Sequence, residues 1–341
     1  MIHQLTLFDD TPKPFVPELV KPLLYHSNCE IHICFSGGKD SVAMALYLVF
    51  VLKVDINRIR LHHHLVDGKG KTLFDWECTE SYCQAFADAF GIPIDWSWRK
   101  GGIRREIFRK NEGLQPVLYQ RNGEKVVSLE SNKGNSTRYK FPAINASLKT
   151  RWCSSVVKIQ PFTRYIADYY SFKQNHNILV LTGERRRESR ARSKYKDAEY
   201  HTTKSKKRNV IHWRPVIDFN EKMVWDLYAK HKIQPHPAYE LGWSRCSCQL
   251  CIFSSPNTWA STYELSPQKI QEIARTEQVL GFTLHDKRNI MQIVAKGQSF
   301  LKTANTARWQ KEILNKFTSP IFVDKWTLPQ GAYGNESSGS L

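Results

Sequence analysis

Apolar residues recur along this chain with two periods, one near two and one near three to four. Residues 31–35, Ile-His-Ile-Cys-Phe, form a short β-prone run, and Arg58 to Val66, ending at Asp67-Gly68, reads as a second strand. Ile92 to Trp98 and Asn177 to Leu181 predict a third and a fourth. Helical runs separate them: Val42, Ala43, Met44, Ala45 and Leu46, then a helix capped by Thr79 whose Cys83/Phe86/Ala87/Phe90 stripe ends at Gly91 and Pro93. Strands alternating with helices predict an α/β fold built on a parallel sheet. Ligands of such sheets sit beyond the strand C-termini. The turn after the first strand, Asp67-Gly68 and Gly183-Glu184-Arg185 all fall on that edge. A later helix capped by Asn220 carries Val224, Trp225, Leu227 and Tyr228. Beyond Cys251 the pattern is helical, with Ser266-Pro267 opening one helix, Lys287 to Val294 a second and Thr303 to Phe317 a third. Pro329 to Leu341 has the composition of a disordered tail.

Two long polar segments interrupt the pattern, Arg99 to Lys140 and Arg185 to Arg208. Both are basic, so each is either a substrate-binding rim or a solvated loop. The formal net charge is +18 and the pI is near 9.5, an excess beyond the needs of one nucleotide, which favours nucleic acid as a partner. No run has the length of a membrane helix, and Met1 to Asp10 lacks the marks of a signal peptide. The expectation is a cytoplasmic protein with no membrane partner. In that compartment the eight cysteines are not a disulfide framework. Cys34 and Cys83 fall on core positions. His62, His63 and His64 lie within a strand, so they alternate between its faces and cannot converge as one ligand set.

The sharpest chemical signal is Ser36-Gly37-Gly38-Lys39-Asp40-Ser41, between the first strand and its helix. Glycines at the turn let the backbone approach a ligand, and the free N–H groups of the helix start attract anions. Lys39 adds a cation, and the two serines add hydroxyls. The spacing is not that of a Walker A loop. Four later elements follow in order: Phe141-Pro142 and Thr150-Arg151-Trp152-Cys153-Ser154 with Lys158; Gly183-Glu184-Arg185-Arg186-Arg187-Glu188-Ser189 with Arg190 and Arg192; Pro215-Val216-Ile217-Asp218-Phe219; and Pro237-Ala238-Tyr239-Glu240-Leu241-Gly242-Trp243-Ser244-Arg245-Cys246-Ser247-Cys248-Gln249-Leu250-Cys251.

In this order the signatures resemble the phosphoadenosine phosphosulfate (PAPS) reductase family of PP-loop proteins, over about residues 28–256. The resemblance implies a Rossmann-like, adenine nucleotide alpha hydrolase-like fold. It divides the chain into an N-terminal peptide (1–10), a PP-loop domain (11–260), a helical C-terminal region (261–318) and a disordered tail (319–341). It implies an ATP pyrophosphatase that adenylylates a substrate, with Lys39, Asp40 and Arg185 catalytic. Ser36, Gly37, Gly38, Lys39, Asp40, Ser41, Asp67, Arg151, Lys158, Gly183, Arg185 and Arg192 would hold the nucleotide, either ATP or an adenylyl sulfate. Mg2+ is expected on the triphosphate, with Asp40 either its ligand or a dipole partner of the helix. Reductases of the family use a later cysteine as nucleophile, and no cysteine follows Cys251 here. The chain is closer to the branch found in phage and in DNA phosphorothioation systems. Sulfur transfer or modification chemistry on nucleic acid, with a sulfur-donor protein as partner, is the expectation. Sulfonucleotide reduction and a non-catalytic nucleic-acid-binding role are the alternatives. Cys153, Cys246, Cys248 and Cys251 are candidate ligands of a [4Fe–4S] cluster, of Zn2+, or of nothing. Gln4-Leu5-Thr6-Leu7-Phe8 resembles the peptide by which bacterial proteins bind the replication sliding clamp.

Overall fold

The computed structural model describes residues 15–334, apart from 71, 132–133, 146, 172–175 and 302–306. The peptide Gln4 to Phe8 therefore lies outside the described residues. Eight strands form one sheet: β1 (Cys29–Cys34), β2 (Ile59–His64), β3 (Ile94–Arg99), β4 (Val117–Gln120), β5 (Val127–Leu129), β6 (His176–Leu181), β7 (Ala198–Tyr200) and β8 (Arg208–Trp213). Their order is β5-β4-β3-β2-β1-β6-β8-β7. The five central strands, β3 through β8, are parallel. The edge strands β4, β5 and β7 are antiparallel. The chain runs outward from β1 through β2 to β3, then returns to the other side of β1 as β6. The crevice between the ends of β1 and β6 is thus the switch point where such sheets bind ligands.

Twelve α-helices accompany the sheet among the described residues: α1 (Lys21–Leu24), α2 (Lys39–Leu46), α3 (Thr79–Phe90), α4 (Gly102–Ile107), α5 (Trp152–Ser154), α6 (Gln160–Tyr169), α7 (Glu221–His231), α8 (Pro237–Glu240), α9 (Pro256–Leu265), α10 (Pro267–Leu280), α11 (Ile290–Val294) and α12 (Ala307–Ile313). Period-two alternation sends Ile31, Ile33, Leu61 and Ile94 to one face, where Met44, Phe86 and Trp225 of α2, α3 and α7 bury them. On the other face α6 packs Phe162, Tyr165 and Ile166 over Ile178, Val180 and Val210. A smaller core joins α4 and α5 to α9, α10 and α11.

The face under α6 also buries polar groups. His32 hydrogen-bonds with the Tyr170 hydroxyl at 2.7 Å, and that hydroxyl donates to Glu30 at 2.5 Å. Arg60 grips Asp95 with two bonds of 2.9 and 2.6 Å, and Tyr165 donates to the same carboxylate at 2.9 Å. His32, His62 and Asp95 have ligand atoms all within 4.8 Å of one another. This is a structural network rather than a metal site. Both Asp95 oxygens are already taken, the second also by the Asn122 amide at 3.1 Å. The charges of Glu30 and Asp95 are balanced by Arg60 and Arg121, so a dication would add uncompensated charge to a dry interior. As alternation requires, His63 lies on the opposite face, against the Phe35 carbonyl at 2.8 Å.

Several expectations change. The segment 99–140 is not one loop. It forms α4 and extends the sheet with β4 and β5, because Val117 and Tyr119, with Leu129 and Val127 opposite them, alternate inward over a stretch too short to stand out from its charged flanks. Its arginines are engaged within the fold: Arg109 binds Glu106 at 3.1 Å and the Ser136 carbonyl at 2.7 Å, while Arg105 pairs with Glu112. The Arg185–Arg208 segment likewise contains β7. Residues 319–334, expected to lack structure, pack on the domain: Gln234 donates to the Ile321 carbonyl at 2.8 Å, Trp326 to the Ile233 carbonyl at 3.0 Å, and Gly331 to the Tyr239 carbonyl at 2.8 Å. Ile321 and Trp326 supply the apolar anchors that composition alone obscures.

Candidate nucleotide site

Phe35-Ser36-Gly37-Gly38 turns the chain from β1 into α2. Gly37 has φ +74°, and a Cβ there would lie 3.0 Å from the Tyr82 ring and 3.1 Å from the Cys83 sulfur, so only glycine fits. The two serines shape the turn: Ser36 N–H donates to Ser41 Oγ at 3.2 Å and Gly38 N–H to Ser36 Oγ at 3.3 Å. Lys39 and Asp40 open α2, where the helix dipole favours an anion.

Across the crevice, the loop after β6 presses on that first turn. A Cβ on Gly183 would come within 3.1 Å of Asp40 backbone atoms. This closeness lets Arg185 Nε reach Asp40 Oδ1 at 2.6 Å. Lys39 Nζ lies 3.5 Å from Asp40 and 3.6 Å from Glu221 at the start of α7, and donates to the Ser244 carbonyl at 3.4 Å. Burial pushes the Asp40 carboxyl up, but Lys39, Arg185 and Arg245 outweigh it and hold it below the usual range. Glu188 organises the arginines: it accepts the Arg185 N–H at 2.9 Å, pairs with Arg192 and lies 3.5 Å from Arg245.

The cysteine segment closes over the turn. The buried Tyr239 hydroxyl accepts from Lys39 N–H at 2.8 Å and from Cys246 N–H at 3.1 Å. The Cys246 carbonyl lies 3.1 Å from where a side chain on Gly38 would begin. Two cavities flank this strap. One of about 160 Å³ is lined by Cys34, Ser36, His64, Asp75, Lys158 and Cys246. The other, of about 210 Å³, is lined by Arg151, Cys153, Arg192, Arg245, Cys248 and Cys251. They share Val66, Lys158, Ser247 and Cys248 as walls, and together they exceed the roughly 300 Å³ at which small-molecule sites begin. Lys158 stands in a π-helical turn, Ser155–Ile159, that Arg99 braces by donating to the Val156 carbonyl at 3.1 Å. Cys248 and Asp75 keep the Lys158 ammonium charged against burial.

Of the four cysteines singled out in the sequence, Cys153, Cys248 and Cys251 line one cavity, while Cys246 lines the other with Cys248. Among the described residues no three of these sulfurs lie within 4.8 Å of one another. A zinc ion with Zn–S bonds of about 2.3 Å would draw its thiolates to about 3.8 Å apart. The sulfurs are therefore not gathered around a single ion. Burial pushes the Cys153, Cys246 and Cys248 thiols up.

Asp67 stands outside both cavities. Its Oδ2 accepts the amides of Leu73, Phe74 and Asp75 at 3.0, 2.9 and 2.9 Å, fixing the loop that carries Asp75. It faces a cleft of about 1020 Å³ whose far wall is Arg308, Lys311 and Lys316. That cleft shares His63, Val66, Asp75 and Thr79 with the loop cavity. Sequence reading missed Tyr239, Glu221, Glu188 and Arg245 as site residues. Glu188, Tyr239 and Arg245 lay within quoted motifs, but nothing in the sequence signals that the hydroxyl of a tyrosine 200 residues away holds the Lys39 amide.

A glycine turn at a sheet switch point, faced by buried lysine and arginine, defines a PP-loop α/β protein. Residues 30–254 match the phosphoadenosine phosphosulfate reductase domain, and the chain belongs to that family. It is 26% identical over 261 residues to an uncharacterized 37.8 kDa protein of Escherichia phage 186, covering 73% of this chain and 74% of that one. It is 28% identical over 221 residues to an uncharacterized protein of Methanocaldococcus jannaschii, covering 65% of this chain but only 36% of the longer relative. Among solved structures it is similar to yeast FAD synthetase in complex with FAD, at 9% identity and a TM-score of 0.40, covering 95% of this chain and 87% of that one.

Proposed function

We propose that the protein is an ATP pyrophosphatase that adenylylates an acceptor, and that the acceptor is nucleic acid. The carrying observation is the convergence of Ser36, which opens the glycine turn, with Lys158, Arg151 and Arg192 on two cavities with common walls at the switch point. In the reaction an acceptor nucleophile attacks the α-phosphorus of ATP. A bond from acceptor to phosphorus forms, the bond from the α-phosphorus to the α–β bridging oxygen breaks, pyrophosphate leaves with the electron pair, and the acceptor proton passes to water. The turn would hold the departing pyrophosphate, and the fixed cations would stabilise the crowded α-phosphate. Arg185 and Lys39 keep Asp40 ionised and the first turn of α2 in place. Mg2+ would neutralise phosphate charge; Asp75, lining the cavity with Ser36, is better placed to hold it than Asp40, whose charge Arg185 and Lys39 take up. The 1020 Å³ cleft beside the loop shares Asp75 and Thr79 with the loop cavity.

The net charge of +18 favours a polyanionic acceptor. Cys153, Cys248 and Cys251 would hold an iron–sulfur cluster or receive sulfur from a donor protein. The sliding-clamp peptide at Gln4 to Phe8 belongs to the same reading. No helix among the described residues is long and apolar enough to cross a membrane, and a cytoplasmic setting is part of the proposal. The test is pyrophosphate release from ATP, with and without single-stranded DNA or RNA. Lys39→Ala and Arg185→Ala should each lower the rate by about 10²- to 10³-fold. ATP that binds without pyrophosphate release under any of these conditions would reject the enzymatic reading in favour of a nucleic-acid-binding factor.

A further inference from the structure

The basic segment 185–208 does not form one rim. β8 runs parallel to β6 with Arg208 beside His176 and Trp213 beside Leu181. The turn 201–207 therefore lies at the N-terminal edge of the sheet, a six-residue strand or roughly 17–20 Å from the nucleotide site. The segment starts at Arg185 on the loop turn, passes Arg192 on the thiol cavity, and then descends the outer edge of the sheet as β7.

Its carboxylates are already engaged: Glu188 with Arg192 and Arg245, Asp197 with Arg186, Glu199 with Arg214. The remaining cations make no ion pair within 4.0 Å among the described residues. Arg187, Arg190, Lys194 and Lys196 are exposed at the site end; Lys204, Lys206 and Lys207 are exposed at the far turn. Two exposed aromatics accompany them, Tyr195 (38% exposed) between Lys194 and Lys196, and Tyr200 (55% exposed) between the two groups. Lys204 sits over the Tyr200 ring, 3.1 Å from its centroid. A cationic track with aromatic faces is the chemistry that binds single-stranded nucleic acid: phosphates take the cations and unstacked bases take the rings.

We infer that a single-stranded nucleic acid lies along the β7 edge, from the Lys204–Lys207 turn past Tyr200 and Tyr195, and reaches the nucleotide site over Arg187 and Arg190. The inference rests on nucleic acid being the acceptor. It adds the strand form, the surface and the direction of approach.

The test is fluorescence anisotropy of labelled 20-mer single strands and duplexes against salt concentration, using the full chain without ATP. Lys204→Gln/Lys206→Gln/Lys207→Gln should reduce the slope of log affinity against log salt by about 2. Tyr200→Ala should weaken single-strand binding roughly 5- to 150-fold and leave duplex binding nearly unchanged. The charge-matched variant Lys287→Gln/Arg288→Gln/Lys296→Gln, in the turns that flank α11, should leave the slope as it is. ATP binding by each variant confirms an intact fold. Equal loss in the charge-matched variant, or a preference for duplex that Tyr200→Ala does not alter, would overturn the inference while leaving a nucleic-acid acceptor standing. So would a triple variant that loses binding only to phosphatidylserine vesicles. Absence of any oligonucleotide binding by the unmodified chain would overturn both the surface and the acceptor, whereas pyrophosphate release independently decides the ATP chemistry.

Discussion

Gly183 and Arg185 do different work within three residues of chain. Gly183 lets the loop after β6 touch the first turn of α2, and that contact brings Arg185 to Asp40. Gly183→Ala should push these apart by a few tenths of an ångström, cost about 1–3 kcal/mol in a thermal or denaturant unfolding measurement, and raise the Kd for ATP. Asp40 itself is ionised at neutral pH because its folded pKa is lowered. Its contribution to stability is present above the unfolded carboxyl pKa and disappears as pH falls through the folded one. Lys39 and Asp40 were legible as candidates in the Ser36–Ser41 motif and Arg185 in the Gly183–Ser189 motif, because an anion cradle demands their chemistry. Tyr239 and Glu221 were not, since their role exists only where α7 and α8 meet α2.

The strap from Trp243 to Cys251 joins the loop turn to the thiol cavity, and the C-terminal segment holds the strap. A Cβ on Gly331 would lie 2.1 Å from the Trp243 carbonyl, so the two backbones are in direct contact. Gly331→Ala should therefore displace the strap. Amide hydrogen exchange across Trp243–Cys251 should accelerate while β1 and β6 keep their protection; unchanged exchange in the strap would disprove the pinning role. The long periodic elements were read well: β1, β2, β3, β6, α3 and α7 appear close to their expected bounds, with Asn220 Oδ1 accepting the Met223 amide at 2.8 Å as a cap should. The short edge strands β4, β5 and β7 were not. Three or four alternating residues among charges carry little periodic signal, and pairing partners far along the chain stabilise them.

For the molecule as a whole, the buried histidines set the response to acid. Burial holds His32 and His63 down to about 4 and His62 and His236 down to about 3. Because these folded values lie below the unfolded value near 6.5, the unfolded chain gains protons first as pH falls. Stability present above pH ~6.5 is then lost toward pH ~4, on the order of 3 kcal/mol for each such histidine. Several together reach the size of a typical folding free energy of about 5–15 kcal/mol. Circular dichroism should show cooperative unfolding between pH ~6 and ~4, and a fold that persists unchanged at pH 4 would contradict this burial. The alternation of β2 already placed His62 and His63 on opposite faces, but not which neighbours would bury them.

Local chemistry was sufficient for the nucleotide turn, the parallel α/β core and the family, because each depends on residue types at short, ordered spacings. Convergence was not local. Lys158 came to stand among three thiols, Cys246 came to line the loop cavity with Cys248 while Cys153 and Cys251 line the other, and one oxygen of Asp67 was drawn into holding a loop. The basic segment was divided between two edges of the sheet by the pairing of β8 with β6. These arrangements join residues up to two hundred positions apart. Their distances are set by how helices and strands pack, which no stretch of neighbouring residues encodes.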